Sequence, residues 1–289
     1  MEKVVVSSDS GTIVPEMARK YGFYMIPVPI IMDGKTYLDT EIDMDELYSR
    51  LDSKENLPKT STANVAEFGQ FFVDMARNAG AILHISMSSA FSGHHNAALQ
   101  GREMAREKVP GVRIEVVDSL TMGTGVALIA IQAARAAAQG RSIDEVMKLV
   151  EAAIPQLNLF LARDTLFYQA EGGRIFEAKT WAEAEQAASF RSITEVDSST
   201  GGSLKPVARS KTVGQILEKL VEITKERSGG GKLVGVIGHT RAPDRAEKLK
   251  GMLIEELDFE WLEIAEESAS AAIHTGRGLI GYGFSGKMD

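Results

Sequence analysis

Hydroxyl groups dominate the residues of this chain that can do chemistry, and they gather ahead of helix starts. Ser88, Ser89 and Ser92 stand with Gly93 between a short apolar run, Ala81–Ile85, and a helical pattern from about Gly93 to Lys108. The first turn of a helix leaves N–H groups without partners, and its dipole favours negative charge. A strand, a Ser-Gly loop and a helix start therefore make an anion site. Ser92 can add its hydroxyl to that site or, alternatively, only cap the helix. A second polar loop, Lys59–Asn64, precedes a helix over about Val65–Asn78. There Thr60 or Ser61 can face a ligand while Thr62 or Asn64 caps the helix. A third, Asp118–Gly125, follows a strand over Val112–Val117 and opens a helix that runs to Gln139. Its Gly123-x-Gly125 begins like a dinucleotide fingerprint, but Leu128 occupies the third glycine position.

The other candidates are charged or titratable. Glu171-Gly172-Gly173-Arg174-Ile175 reads as a sharp turn with an arginine at its exit, and Arg209 follows Lys205-Pro206. Of the five histidines, His94 and His95 are neighbours on a helix, where side chains diverge by about 100°, which makes them poor joint metal ligands. No His-Glu-x-x-His, no Gly-x-Ser-x-Gly elbow and no phosphate loop ending in Gly-Lys-Ser/Thr occurs, so no metal or nucleotide cofactor is expected. Ser92, His274 and Asp118 supply the residue types of a hydrolase triad, with no spacing that supports one.

Positioning these loops takes alternating strands and helices. Strand patterns at Val4–Ser7 and Phe23–Met32, a helix from near Val14 closed by Gly22, an Asp33-Gly34 turn and a helix started by Asp43 precede the segments above. Alternation continues to about Glu151 and predicts a parallel sheet with helices on its faces, whose sites lie beyond the carboxyl ends of the strands. After Pro155 the pattern changes. A strand over Leu157–Ala162 and a helical run over Trp181–Ser189 come first. A hairpin of Arg191–Val196 and Leu204–Ser210 follows, then helices over Val213–Arg227 and Pro243–Leu257, strands over Leu233–Gly238 and Phe259–Ala265, and a last short strand. The expected fold class is α/β. Residues 1–155 form a parallel-sheet α/β/α domain carrying the hydroxyl loops, and 156–289 an α+β domain carrying the Gly-Gly-Arg turn and the His274 loop.

With 289 residues, 44% hydrophobic and 25% charged, the chain has the composition of a soluble globular protein. A net charge of −8 argues against a general nucleic-acid binder, and the lack of cysteine excludes disulfides and thiolate chemistry. No apolar run approaches the ~18 residues of a membrane span. The first residues, which begin like a strand, show no signal peptide, so a cytoplasmic protein without stable membrane insertion is expected.

Six separated motifs, in order along the chain, resemble the DegV family of bacterial lipid-binding proteins. Thr60 and Ser61 match its Thr-Ser-Gln-Pro loop, and Ser88, Ser89, Ser92, Gly93 and Ala98 match its serine loop. Asp118, Ser119, Met122, Gly123 and Gly125 match a third motif, Gly172 to Ile175 its Gly-Gly-Arg-Ile, and His274, Gly276 and Gly278 its His-x-Gly-Pro-Gly. Arg209 matches more loosely. The chain departs at Thr62-Ala63, at His94-His95 (usually Thr-Tyr), at Arg277 and at Phe190–Thr194, where the family often has Ile-Lys-Pro-Ile-Leu.

The resemblance implies two α/β domains with a long-chain fatty acid buried between them. It implies that Thr60 and Ser92 hold the carboxyl group, that Ser61, Gly93, His274 and Gly276 belong to the lipid site, and that Arg174 and Arg209 contact a phosphate or a kinase. On this reading the chain is not an enzyme. It presents the carboxylate to a fatty acid kinase partner and carries the acyl phosphate toward phospholipid synthesis, with no cofactor besides the lipid. The alternatives are a serine-dependent hydrolase or acyltransferase using Ser92, and a small-molecule sensor without a kinase.

Overall fold

Three valines followed by two serines and an aspartate form β1 (Val4–Asp9), buried along its whole length as a central parallel strand must be. A computed structural model describes residues 3–11, 15–185 and 190–287. After β1 come α1 (Pro15–Tyr21), closed by Gly22 at φ 74°, and β2 (Tyr24–Ile26). Pro27 and Pro29 make Phe23–Met32 an edge or irregular strand in the sequence, and the chain breaks it at Pro27 and Val28. The Val28 N–H donates to Asp39 Oδ1 (2.9 Å) and Ser10 Oγ (2.8 Å) instead of to a ladder. The second piece, β3 (Pro29–Met32), turns through Asp33 and Gly34, both at positive φ, into β4 (Lys35–Leu38).

Then follow α2 (Met44–Ser53), capped by Asp43, and β5 (Lys59–Thr60), which makes a small antiparallel sheet in the order β4-β3-β5. The helix α3 (Val65–Ala76) starts with a capping box of Asn64 and Glu67. β6 (Ala81–Ser86), α4 (His94–Lys108), β7 (Arg113–Asp118), α5 (Gly123–Ala138) and α6 (Ile143–Ala153) complete the first half. Its sheet, β2-β1-β6-β7, is wholly parallel.

The second half contains β8 (Asn158–Arg163), α7 (Phe167–Glu171), α8 (Lys179–Glu185), β9 (Arg191–Glu195), β10 (Lys205–Ser210), α9 (Val213–Arg227), β11 (Leu233–His239), α10 (Pro243–Glu256), β12 (Phe259–Glu266), α11 (Ala269–Thr275) and β13 (Ile280–Gly286). Its six strands run β10-β9-β8-β13-β11-β12, with only β11 and β12 parallel. Two expected helix ends, Val14 and Ser189, lie outside the described residues. The helix α11 was not expected. Its run of alanine and serine gives no apolar periodicity, and it starts because the Ser268 side chain accepts the Ala271 N–H.

One helix joins the two sheets. α5 is buried almost end to end, and its apolar side chains share a core with Val4, Val6, Leu83 and Ile85 of the first sheet and Val234, Val236 and Ala265 of the second. The Gly123-x-Gly125 pair serves this packing. A Cβ on Gly125 would lie 2.3 Å from Thr121 Oγ1, and one on Gly283 of β13 would lie 3.5 Å from Gly125 Cα. Helices α3 and α4 cover the outer face of the first sheet, and α9 and α10 that of the second. The layers are therefore helix, sheet, helix, sheet, helix.

Candidate functional site

Each polar side chain of the site is set by a neighbouring element end. The loop after β6 is tied to the loop after β7: the Ser88 N–H donates to Thr121 O (2.7 Å) and the Ser119 N–H to Ser86 O (3.1 Å). Ser92 Oγ accepts the His94 N–H (3.3 Å), so it does hold a free donor of the first turn of α4, while Gly93 occupies the cap position itself. Gly93 also lets two loops meet, since a Cβ there would lie 3.4 Å from Thr62 Oγ1. Thr60 ends β5, paired with Ile30, and the Ser61 N–H donates to Pro29 O (2.8 Å). His274 lies in the last turn of α11. Gly276, at φ 67°, closes that helix where a Cβ would strike the Tyr168 ring at 2.2 Å.

These loops converge. Thr60, Arg174 and His274 line a cleft of about 690 Å³, and the same three line a smaller inner slot of about 60 Å³. Ser61 and Ser92 face the slot together with Val28, Met87, Phe91 and Met122. Thr60 Oγ1 and His274 Nε2 are 2.8 Å apart and hydrogen-bonded. Arg174 leaves the Gly172-Gly173 turn, with Gly173 at φ 68°, and its Nη1 donates back to Gly172 O (2.8 Å). Gly93 and Gly276 shape the loops without lining either hollow. Ser119 is fully buried and does not line the slot. Arg209 lies elsewhere: its guanidinium stands 5.6 Å from the Trp181 ring centre and 5.3 Å from that of Phe190, beside a surface groove with Lys211 and Lys219.

Burial, helped by the charges of Arg174 and Arg163, pushes the His274 imidazole down to about 4, so it is neutral at physiological pH. The triad of Ser92, His274 and Asp118 is not assembled. His274 bonds Thr60, and Asp118 accepts the N–H groups of Ser89 (3.3 Å) and Leu120 (3.0 Å). Among the described residues, no group of three or more His, Asp or Glu side chains is placed to hold a metal ion, and no helix is long and apolar enough to cross a membrane.

Sequence reasoning missed the support beneath the slot. His94, which lines it, has Nδ1 3.1 Å from Asp9 Oδ1, and His84 Nε2 lies 3.6 Å from the same oxygen. The Ala63 N–H donates to His94 Nε2 (3.0 Å), which places the neutral ring's proton on Nδ1, facing Asp9. Asp9 Oδ2 accepts the Met87 N–H (2.8 Å). This cluster pins the loops of Thr60 and Ser92 to the end of β1. His95 points away, its Nδ1 2.8 Å from Ser86 Oγ, so the two histidines take separate structural places. The aspartate ending a buried strand was the available signal.

The DegV family, described as uncharacterised proteins, matches this chain over residues 3–287. A DegV domain-containing protein of Clostridium perfringens is 28% identical over 284 residues, covering 98% of each chain. A Thermus thermophilus structure described as fatty acid binding of a DegV family protein superposes with a TM-score of 0.88 at 21% identity, covering 99% of this chain and 100% of that one. A Thermotoga maritima protein whose structure is described as revealing fatty acid binding function gives 0.84 at 22%, covering 99% of both. A Eubacterium eligens member loaded with heptadecanoic acid gives 0.84 at 20%, covering 98% of this chain and 100% of that one. With its fold, its ordered motifs and a match over nearly its whole length, the chain belongs to the DegV family.

Proposed function

We propose that this protein binds a long-chain fatty acid with the carboxylate held by Thr60, Ser61 and Ser92. It presents that carboxylate to a fatty acid kinase and carries the resulting acyl phosphate in the cytoplasm. The observation that carries this reading is the convergence of Thr60, Ser92, His274 and Arg174 on one cleft and slot. Relatives with this fold are described as binding fatty acids.

The chemistry fits an anion that keeps a full charge. If His274 Nε2–H donates to Thr60 Oγ1, the threonine hydroxyl proton is free for a carboxylate oxygen, and Ser92 adds a second donor. An acyl chain of ~14 methylenes gains on the order of 11 kcal/mol gross on leaving water, and ordering and association costs offset much of it. A slot of about 60 Å³ is far smaller than ligand cavities of roughly 300 Å³ or more. Admitting the chain therefore means parting apolar packing beside the slot, such as the cluster in which Phe91 meets Leu161, Leu166, Leu204 and Leu279. Arg174, which lines both cleft and slot, is suited to the phosphoryl group once transfer has occurred.

Mass spectrometry of an organic extract of the purified protein tests the reading. One long-chain fatty acid per chain is expected. Recovery of no lipid, together with no uptake of added fatty acid, would overturn it. Phosphorylation of the bound acid by an added fatty acid kinase tests the partner separately.

A further inference from the structure

The apolar cluster around Phe91 and Leu161 has polar neighbours. Glu267 follows β12 and is fully buried, yet neither of its carboxyl oxygens has a hydrogen-bond partner. Its side chain lies in a hollow made by glycines of three separate segments. A Cβ on Gly238 would come 2.2 Å from Glu267 Oε1, one on Gly281 would come 2.7 Å from it, and one on Gly123 would come 3.6 Å from it. Thr124 Oγ1, also buried and without a partner, would be 3.2 Å from that same Gly281 Cβ. Two neighbouring polar groups are thus enclosed with their hydrogen-bonding capacity unused. Buried polar groups are almost always paired, with protein, water or ligand.

The Glu267 side chain, which fills the recess left by these glycines, borders the apolar cluster that the proposed ligand must part. The Gly281 Cβ position is 3.5 Å from Leu161 Cδ2, and Leu161 belongs to the Phe91 cluster. Two of the segments that line the slot run on to Glu267. Met122 lines the slot and is followed by Gly123, where a Cβ would come 3.6 Å from Glu267 Oε1; Ser270 and Ala271 line the slot three and four residues after Glu267.

Resting on the fatty-acid reading above, we propose that the preferred ligand is an oxygenated fatty acid, whose hydroxyl or keto oxygen on the acyl chain docks between Glu267 and Thr124. Burial pushes the Glu267 carboxyl up to about 8, so at neutral pH it is an acid with one O–H to donate and one carbonyl to accept. Such a group matches a hydroxyl in both directions and a ketone in one. An unsubstituted chain leaves both polar groups unmet.

Stearate competing against positional isomers of hydroxystearate, read by native mass spectrometry of the full chain, tests the proposal. At least one isomer is expected to bind about tenfold tighter than stearate, the worth of one or two buried hydrogen bonds. In Glu267→Leu this preference should vanish while stearate binding persists, and in Thr124→Val it should shrink. Glu267→Gln, which keeps shape and hydrogen bonding, should retain it. Stearate binding that equals or exceeds that of every isomer would overturn the proposal and leave the fatty-acid reading standing. A preference that survives Glu267→Leu would overturn it too. Failure of stearate and all isomers to bind would remove both.

Discussion

Asp9 and Glu267 are both fully enclosed carboxyls at strand ends, and they finish in opposite states. Burial alone would push each one up. At Asp9 it is outweighed by His94 and His84, whose ring nitrogens face its Oδ1, and the group stays well below the usual carboxylate range. At Glu267 nothing opposes burial, and the group rises to about 8. The Met87 N–H reaches Asp9 Oδ2, whereas no donor reaches either oxygen of Glu267. Depth in the fold therefore does not decide whether a buried acid is charged. The groups set against it do. The same rule bears on a ligand's carboxylate, for which the loops around Thr60 and Ser92 supply the donors.

The largest effect should come from breaking the paired case. Asp9→Ala leaves the Met87 N–H without its acceptor and two buried imidazoles without the carboxylate they face, and should cost about 3–5 kcal/mol in urea denaturation. A loss under about 1 kcal/mol would mean that the pairing adds nothing and that the contrast with Glu267 is empty.

The unpaired case should show itself in pH dependence. The folded-state value of Glu267, about 8, lies above the ordinary glutamate value of 4.5, so the folded state binds more protons between the two. Stability should therefore fall as pH rises through this window, by on the order of a few kcal/mol. Asp9 has the opposite sign: it stabilises above the usual carboxylate range and is lost only in strong acid. Glu267→Leu should remove the slope and be no less stable than wild type at pH near 8, because it takes away an unmet polar group. Thermal melts of both proteins across the window check this, and equal slopes would refute it.

Extending the comparison to the ligand, Ser92→Ala removes one hydrogen bond to a charged group, worth about 1.5–3 kcal/mol. Binding of a fluorescent fatty acid should weaken roughly ten- to hundredfold, with at most ~1 kcal/mol lost in stability. Unchanged affinity together with labelling of Ser92 by a fluorophosphonate would favour the hydrolase. Arg174→Ala should have the smallest effect on lipid binding, close to none, while weakening phosphorylation by a kinase partner. Equal loss of both would make Arg174 structural.

Strand and helix periodicity in the sequence by itself determined a parallel sheet in the first half and an α+β second half with a hairpin after Pro155, because buried strands and amphipathic helices impose their own spacing on apolar residues. The hydroxyl loops were legible too: Ser92 stands before a helix, and Thr60 belongs to a polar stretch with no apolar face to bury. Only the tertiary structure decided which of these meet. It brought Thr60 to His274, 214 positions away, and set Arg209 against Trp181 on another surface. It split Phe23–Met32, because the partner of the Val28 N–H is Asp39, from a turn that local pattern does not connect to it. It also made Asp9 and Glu267 different. In the sequence each is an acid at the end of an apolar strand, and the distinction lies in neighbours from other segments, His84 and His94 in one case and three glycines in the other. A local pattern reports whether a residue is buried, but its partners come from distant parts of the chain, and those partners set its charge.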